Sequence, residues 1–185
     1  MNLKDIILTD EQSRSIWDRV YNEFDFKPNS KDNSHSFDTP LPFKIKKEYM
    51  VYSIENMTEK QIDKMDLILK KCFSELTAEG RKMYALDWQH TSFIYDPKIE
   101  PEQEIQWKNG QFISDERYSG GGYMAYYPSF YPDGDYYFFI EENFEFGLLG
   151  HPWRREIWIF GTELIQKVSP YTESIGLSEL KRAMR

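Results

Sequence analysis

Acid–base chemistry near neutral pH would start from the histidines, and the chain has three, His35, His90 and His151. His151 lies in GLLGHPW (Gly147 to Trp153), where Gly150 permits a sharp bend and Pro152 holds the histidine extended, so its ring is posed at a strand corner. There it either holds the corner by hydrogen bonding or meets a ligand as acid or base. Asp135, in YPDGDYYFFI (Tyr131 to Ile140), opens a strand whose same-parity residues are Tyr137 and Phe139. A carboxylate among rings needs a partner to stay charged, which Arg154, Arg155 or a backbone N–H could supply. His151 and Asp135 together, with His90 assisting and a glycine-rich lid, would suit hydrolysis of a small polar substrate. His35 falls in a polar loop and is expected to be exposed.

Other chemistries lack their signatures. A hydrolytic metal site would need His90 and His151 to converge with acids such as Asp87, Asp133 or Asp135 from different strands. No H-x-H, H-E-x-x-H or C-x-x-C spacing holds them together, so no metal or cofactor is assigned. There is no G-x-S-x-G elbow for a serine nucleophile. Cys72 sits in an apolar helical stripe and reads as a small core residue rather than a thiolate. Gly120-Gly121-Gly122 precedes Tyr-Met-Ala-Tyr-Tyr instead of a helix start with Lys-Ser/Thr, which suits a hinge or turn and not a phosphate loop.

Aromatic residues make up 17% of the chain, and they crowd the segment that carries Asp135 and His151. Tyr136 and Phe138 share one parity, Tyr137 and Phe139 the other. Such a strand is either central and covered twice, or it lines a groove on one side. On the groove reading, Tyr126, Tyr131, Asp135, Tyr137, His151 and Trp153 form a recognition face for a protein partner, since Tyr and Trp give contact area at low entropy cost. On the other, the aromatic blocks are core, and function falls to the loops at 25–42 or 97–122.

The partner class follows from charge. There are 31 acidic against 23 basic residues, a net charge of −8. The basic pairs Lys46-Lys47, Arg81-Lys82 and Arg154-Arg155 are dispersed among acids, so no stripe exists to neutralise phosphates and nucleic acid is not expected as a partner. An acidic surface suits a basic protein partner, or solubility. One cysteine excludes an internal disulfide. The apolar run in MNLKDIILTDEQ is too short for a signal peptide, and no run approaches the roughly 20 residues of a membrane span. The expectation is a cytoplasmic protein.

The elements that must position these residues begin with a helix from Thr9 to Phe24, with Thr9 and Gln12 at capping-box spacing. Alternation from Phe43 to Val51 predicts a strand. Thr58 and Gln61 open a second helix carrying Ile62, Met65, Leu69, Cys72, Phe73 and Leu76. Met83 to Tyr95 reads as one long strand, and Asn109-Gly110 signals a hairpin. Strands follow at Tyr123–Tyr127, Asp135–Ile140, Phe144–Leu149 and Glu156–Phe160, with Pro132-Asp133-Gly134 as a tight turn whose glycine is free to take a positive φ. Thr162 to Val168 is a short helix. The tail, 171–185, carries a helical stripe of Leu177, Leu180 and Met184. The class is α+β: one domain over 1–185, with a single twisted, mainly antiparallel sheet and helices packed on one face. The connections are too short for parallel crossovers.

In order along the chain, LDWQH (Leu86 to His90), YPDGDYYFFI, GLLGHPW and IWIFG (Ile157 to Gly161) resemble a Gram-positive bacterial family described only as a domain of unknown function. The resemblance implies no activity, cofactor or catalytic residue. Gly134 to Phe138 also resembles the G-D-Y-Y-F-type strand of SUKH-type immunity modules, compact acidic α+β proteins, which implies a protein-binding role of immunity or regulatory kind.

Overall fold

The structure is a computed structural model that describes residues 1, 5–28, 44–88, 90–101, 107–108, 111–112 and 127–183. His35, Tyr126, Gly120 to Gly122 and most of the two expected loops lie outside the described residues, as does nearly all of the expected strand at Tyr123–Tyr127.

Helix α1 spans Asp10–Phe24 and α2 spans Glu59–Leu76. Both start on complete capping boxes: the hydroxyls of Thr9 and Thr58 accept from the N–H groups of Gln12 and Gln61, whose side chains accept from the cap N–H groups in return. A cap of this kind stabilises a helix by about 1 kcal/mol. Helix α3 is Thr162–Val168, with the boundaries read from the sequence.

Among the described residues the main sheet has seven strands: β1 (Tyr49–Ser53), β2 (Met83–Asp87), β3 (Ser92–Tyr95), β6 (Tyr137–Glu141), β7 (Gly147–His151), β8 (Glu156–Phe160) and β9 (Ser178–Ala183). Their order is β3-β2-β6-β7-β8-β1-β9, and every pairing is antiparallel. The short strands β4 (Trp107–Lys108) and β5 (Gln111–Phe112) pair separately, flanking the Asn109-Gly110 dipeptide.

The α+β class and the antiparallel sheet agree with the sequence, but the helices do not share one face. Ile16, Val20 and Phe24 of α1 pack with Leu86, Tyr136, Phe138, Leu149, Trp158 and Phe160. Met65, Leu69, Cys72 and Phe73 of α2 and Leu164, Ile165 and Val168 of α3 pack with the opposite parity, Met83, Ala85, Phe139, Leu148, Ile157 and Ile159. The sheet is therefore covered twice, which is why β6, β7 and β8 are apolar on both parities.

Three further expectations change. Met83 to Tyr95 is not one strand: it reverses after Asp87, where His90 N–H donates to the Asp87 carbonyl at 3.1 Å, and β3 returns beside β2 with Leu86 opposite Ser92. The parity of Leu86, Trp88 and His90 runs through the reversal, and no Gly or Pro announces it. The tail is a strand because β1 has an open edge whose backbone groups need partners. Ser178–Ala183 pairs along it, with a register shift between Val51 and Tyr52. Residues 44–48 precede β1 without joining it.

Candidate functional site

The GHPW corner is a structural joint. His151, 1% exposed, accepts a hydrogen bond at Nδ1 from the Arg154 N–H at 3.3 Å, and Arg155 N–H closes the turn on the Pro152 carbonyl. Tyr136 stands edge-on to His151 and Trp153, with ring centroids 5.0 and 4.8 Å away. Across the strand pair, Glu156 is occupied by Arg154 Nε at 3.2 Å and Trp158 Nε1 at 3.1 Å. Burial, reinforced by the Arg154 charge, pulls the His151 pKa down to about 3, so the ring is neutral.

The glycines before it are places of close approach. A Cβ on Gly147 would meet the Phe139 carbonyl at 2.4 Å and the Phe160 ring at 2.8 Å. One on Gly150 would meet Pro132 Cβ at 2.9 Å. The Tyr131 to Gly134 turn therefore lies on Gly150, and Gly134 does not use the positive φ open to it. Asp133 accepts from the Tyr137 hydroxyl at 2.8 Å.

Parity separates the two residues paired in the hydrolase reading. His151 shares the α1 side of the sheet with Tyr136 and Leu149, whereas Tyr137 lies opposite Asp87 on the other side. Asp135 turns toward that other side, at the open end of β2 and β6. Its Oδ1 accepts from Tyr136 N–H at 2.7 Å and its Oδ2 lies 3.6 Å from His90 Nδ1. The partner of Asp135 is thus a backbone N–H and His90; Arg154 is engaged by Glu156. His90 Nδ1 is 2.9 Å from Asp87 Oδ1.

The result is a corner of three side chains, Asp87, His90 and Asp135, each with a ligand-type atom within 4.8 Å of the others. Both aspartate side chains are only 11% exposed, while the His90 side chain is 45% exposed. Burial pushes Asp87 far above the usual carboxylate range, against the pull of His90, and raises Asp135 to about 6. Carboxyl groups held above their usual range by desolvation beside a histidine make this corner a candidate for exchanging a proton or accepting a cation.

The other expected contact residues do not gather into one exposed face. Tyr131 and Tyr137 are partly buried against the α2 side, Trp153 is partly buried against the α1 side, and the remaining rings of β6 are core.

At the far end of β6 a cleft of about 820 Å³ opens between the segment before β1, the end of α2, the β6–β7 turn and the start of α3. Its walls carry Glu48, Glu141, Glu145 and Glu163 against Lys47 and Arg81, over a floor of Leu76 and Phe146. Glu141 is 5% exposed and satisfied by its own turn, accepting from Asn143 N–H at 2.8 Å and Asn143 Nδ2 at 3.1 Å. Glu48 accepts from the Thr162 hydroxyl at 2.8 Å.

A family model described as "Protein of unknown function (DUF2716)" matches residues 7–120 and 122–165. The chain belongs to this family. It is similar to the uncharacterized protein YxiI of Bacillus subtilis (strain 168), at 29% identity over 166 residues that cover 87% of this chain and 90% of that protein. No solved structure matches. Membership of a Gram-positive family of unknown function, expected from the LDWQH to IWIFG blocks, is thereby established. The residues matched to the DUF2716 family include the Asp87–His90–Asp135 corner, His151 and the cleft glutamates.

Sequence reasoning named His90 and Asp135 but linked them to His151. Asp87 entered only as one acid among several, because its role depends on a turn that alternation hides. Glu48 and Glu163 were missed altogether: they converge from segments more than a hundred residues apart and carry no local pattern. Among the described residues no helix is long and apolar enough to cross a membrane.

Proposed function

We propose that this DUF2716 protein is a non-enzymatic recognition module that receives a basic segment of a partner protein in the glutamate-lined cleft. The observation that carries this reading is the cleft itself: Glu48 and Glu163 line it over an apolar floor, beside a Lys47–Glu145 ion pair and a Glu141 held by its own turn, in a chain of net charge −8. Leu76 and Phe146 suit the aliphatic stem of a lysine or arginine, and the carboxylates suit its head. The volume falls in the range of about 300–1,000 Å³ usual for ligand sites. The likeness of Gly134 to Phe138 to immunity modules supports a partner-binding role, and the acidic charge supports a basic partner. A cytoplasmic setting fits the lone, buried Cys72.

Fluorescence anisotropy with labelled Lys/Arg-rich peptides tests it. Binding should weaken with added salt and fall in a Glu48→Gln/Glu163→Gln double variant, while Asp18→Asn/Glu55→Gln, which removes the same charge elsewhere, leaves it in place. Equal losses in the two double variants would show charge attraction without a site. The hydrolase reading loses its acid–base pair, since His151 is buried on the side of the sheet away from Asp135.

A further inference from the structure

We infer that Asp87, His90 and Asp135 form a binding site for one divalent transition-metal ion, of the zinc or manganese class. The site is separate from the acidic cleft, at the opposite end of β6. Three observations place it.

The first is geometry. In a coordination sphere with bonds of about 2.0–2.2 Å, neighbouring ligand atoms stand roughly 3–4 Å apart. His90 Nδ1 is 2.9 Å from Asp87 Oδ1 and 3.6 Å from Asp135 Oδ2. Two of the three donor pairs already hold a metal-like spacing, and the third lies within 4.8 Å.

The second is a shortage of donors. The side chains of Asp87 and Asp135 are each only 11% exposed. Asp87 Oδ2 receives no hydrogen bond among the described residues, and Asp135 Oδ2 reaches only the His90 ring, beyond hydrogen-bond range. The other buried acids differ: Glu141 takes three donors from its own turn, and Glu156 takes two on one oxygen from its own turn and strand. Two close, buried carboxylates share one imidazole here, and a bound cation would supply the missing positive charge.

The third is the support around the donors. Asp87 ends β2, hydrogen-bonded into the sheet opposite Tyr137, and the Asp135 Oδ1 bond to Tyr136 N–H orients its other oxygen toward His90. His90 sits on the β2–β3 turn and is exposed, so solvent can fill the remaining coordination positions. Two carboxylate oxygens with one imidazole nitrogen match zinc or manganese better than calcium, which takes oxygen ligands in larger number. Binding would release any proton shared between Asp87 and His90.

The test is isothermal titration of chelator-treated protein with Zn²⁺, Mn²⁺, Mg²⁺ and Ca²⁺ separately, with thermal unfolding as a second readout. Zn²⁺ or Mn²⁺ should bind at one ion per chain and raise the unfolding midpoint. Asp87→Asn, which keeps the side-chain shape, and His90→Ala, at an exposed position, should each weaken binding about tenfold or more, whereas Asp18→Asn, exposed on α1, leaves it unchanged. Circular dichroism checks that each variant is folded. Absence of one-to-one binding by either ion overturns the inference, and so does binding that survives both Asp87→Asn and His90→Ala. Neither result bears on the cleft, which is tested by peptide binding alone.

Discussion

The two sides of β6 treat their histidines in opposite ways. On the α1 side, His151 is walled in by Tyr136 and Trp153, takes a hydrogen bond from its own turn and stays neutral. On the α2 side, His90 is exposed and faces two buried carboxyl groups. The difference is one of supply. Around His151 the turn supplies its own partners, Arg154 N–H to the ring and Arg154 and Trp158 to Glu156, and the ring is almost wholly buried, so the corner is closed to ligands. Around His90 the carboxylate oxygens outnumber the hydrogen-bond donors that reach them among the described residues. A buried polar group satisfied by its own loop serves the fold; one left short marks a place for something else.

Removing the ring between the joint and the core should give the largest effect. Tyr136 is fully buried and touches Phe26, Trp88, Phe138, His151 and Trp153, so Tyr136→Ala should cost about 3–5 kcal/mol in urea unfolding. Tyr137→Ala, its partly exposed neighbour on the other side, should cost about half as much. Equal costs would mean that the two sides are not as unlike as their burial implies.

Acid titration comes next in size. A folded pKa of about 3 for His151, against 6.5 when unfolded, means that the unfolded chain binds the extra proton first. The stability is complete above pH 6.5 and is lost as pH falls toward 3, at up to about 1.4 kcal/mol per pH unit. The charged groups facing the ring are Arg154, which disfavours its protonation, and Glu156, already bound by Arg154 and Trp158. His151→Gln keeps an acceptor for Arg154 N–H and should flatten this acid limb, measured as unfolding midpoint against pH. An unchanged slope would show that His151 is not the group that titrates.

The opposite sign is expected at the other corner. Asp135→Asn retains an oxygen for Tyr136 N–H and removes a charge that is costly to bury, so metal-free protein should gain about 1–2 kcal/mol at pH 7. A loss of stability instead would mean that His90 already compensates both acids, and the contrast between the two histidines would fail.

Much of this frame was legible in the chain. Thr9 with Gln12 and Thr58 with Gln61 located two helix starts, and Gly147 and Gly150 marked the close approach that Phe160 and Pro132 make. What alternation could not supply was the side. Parity sorts residues into two sets without saying which helix covers which, so His151 and Asp135 looked compatible until Tyr136 was seen beside His151 and Tyr137 beside Asp87. The Asp87–His90 turn was hidden because its residues continue the period of the strands on either side. The tail became a strand through the open edge of β1, a tertiary demand that helical periodicity in Leu177, Leu180 and Met184 could not reveal.

The smallest expected effect tests whether the shortage at His90 is confined to the buried pair. Asp133 lies at the rim of the same corner but is exposed, and it accepts from the partly buried Tyr137 hydroxyl at 2.8 Å. Water can replace that bond, so Tyr137→Phe should change stability by no more than about 0.5 kcal/mol. It should also leave the behaviour of Asp135→Asn unaltered in a double-mutant cycle, because Asp135 is held by Tyr136 N–H and His90 and not by the tyrosine hydroxyl. Coupling well above that size would extend the donor-poor region outward to Asp133 and make four side chains, instead of three, the unit that faces a cation.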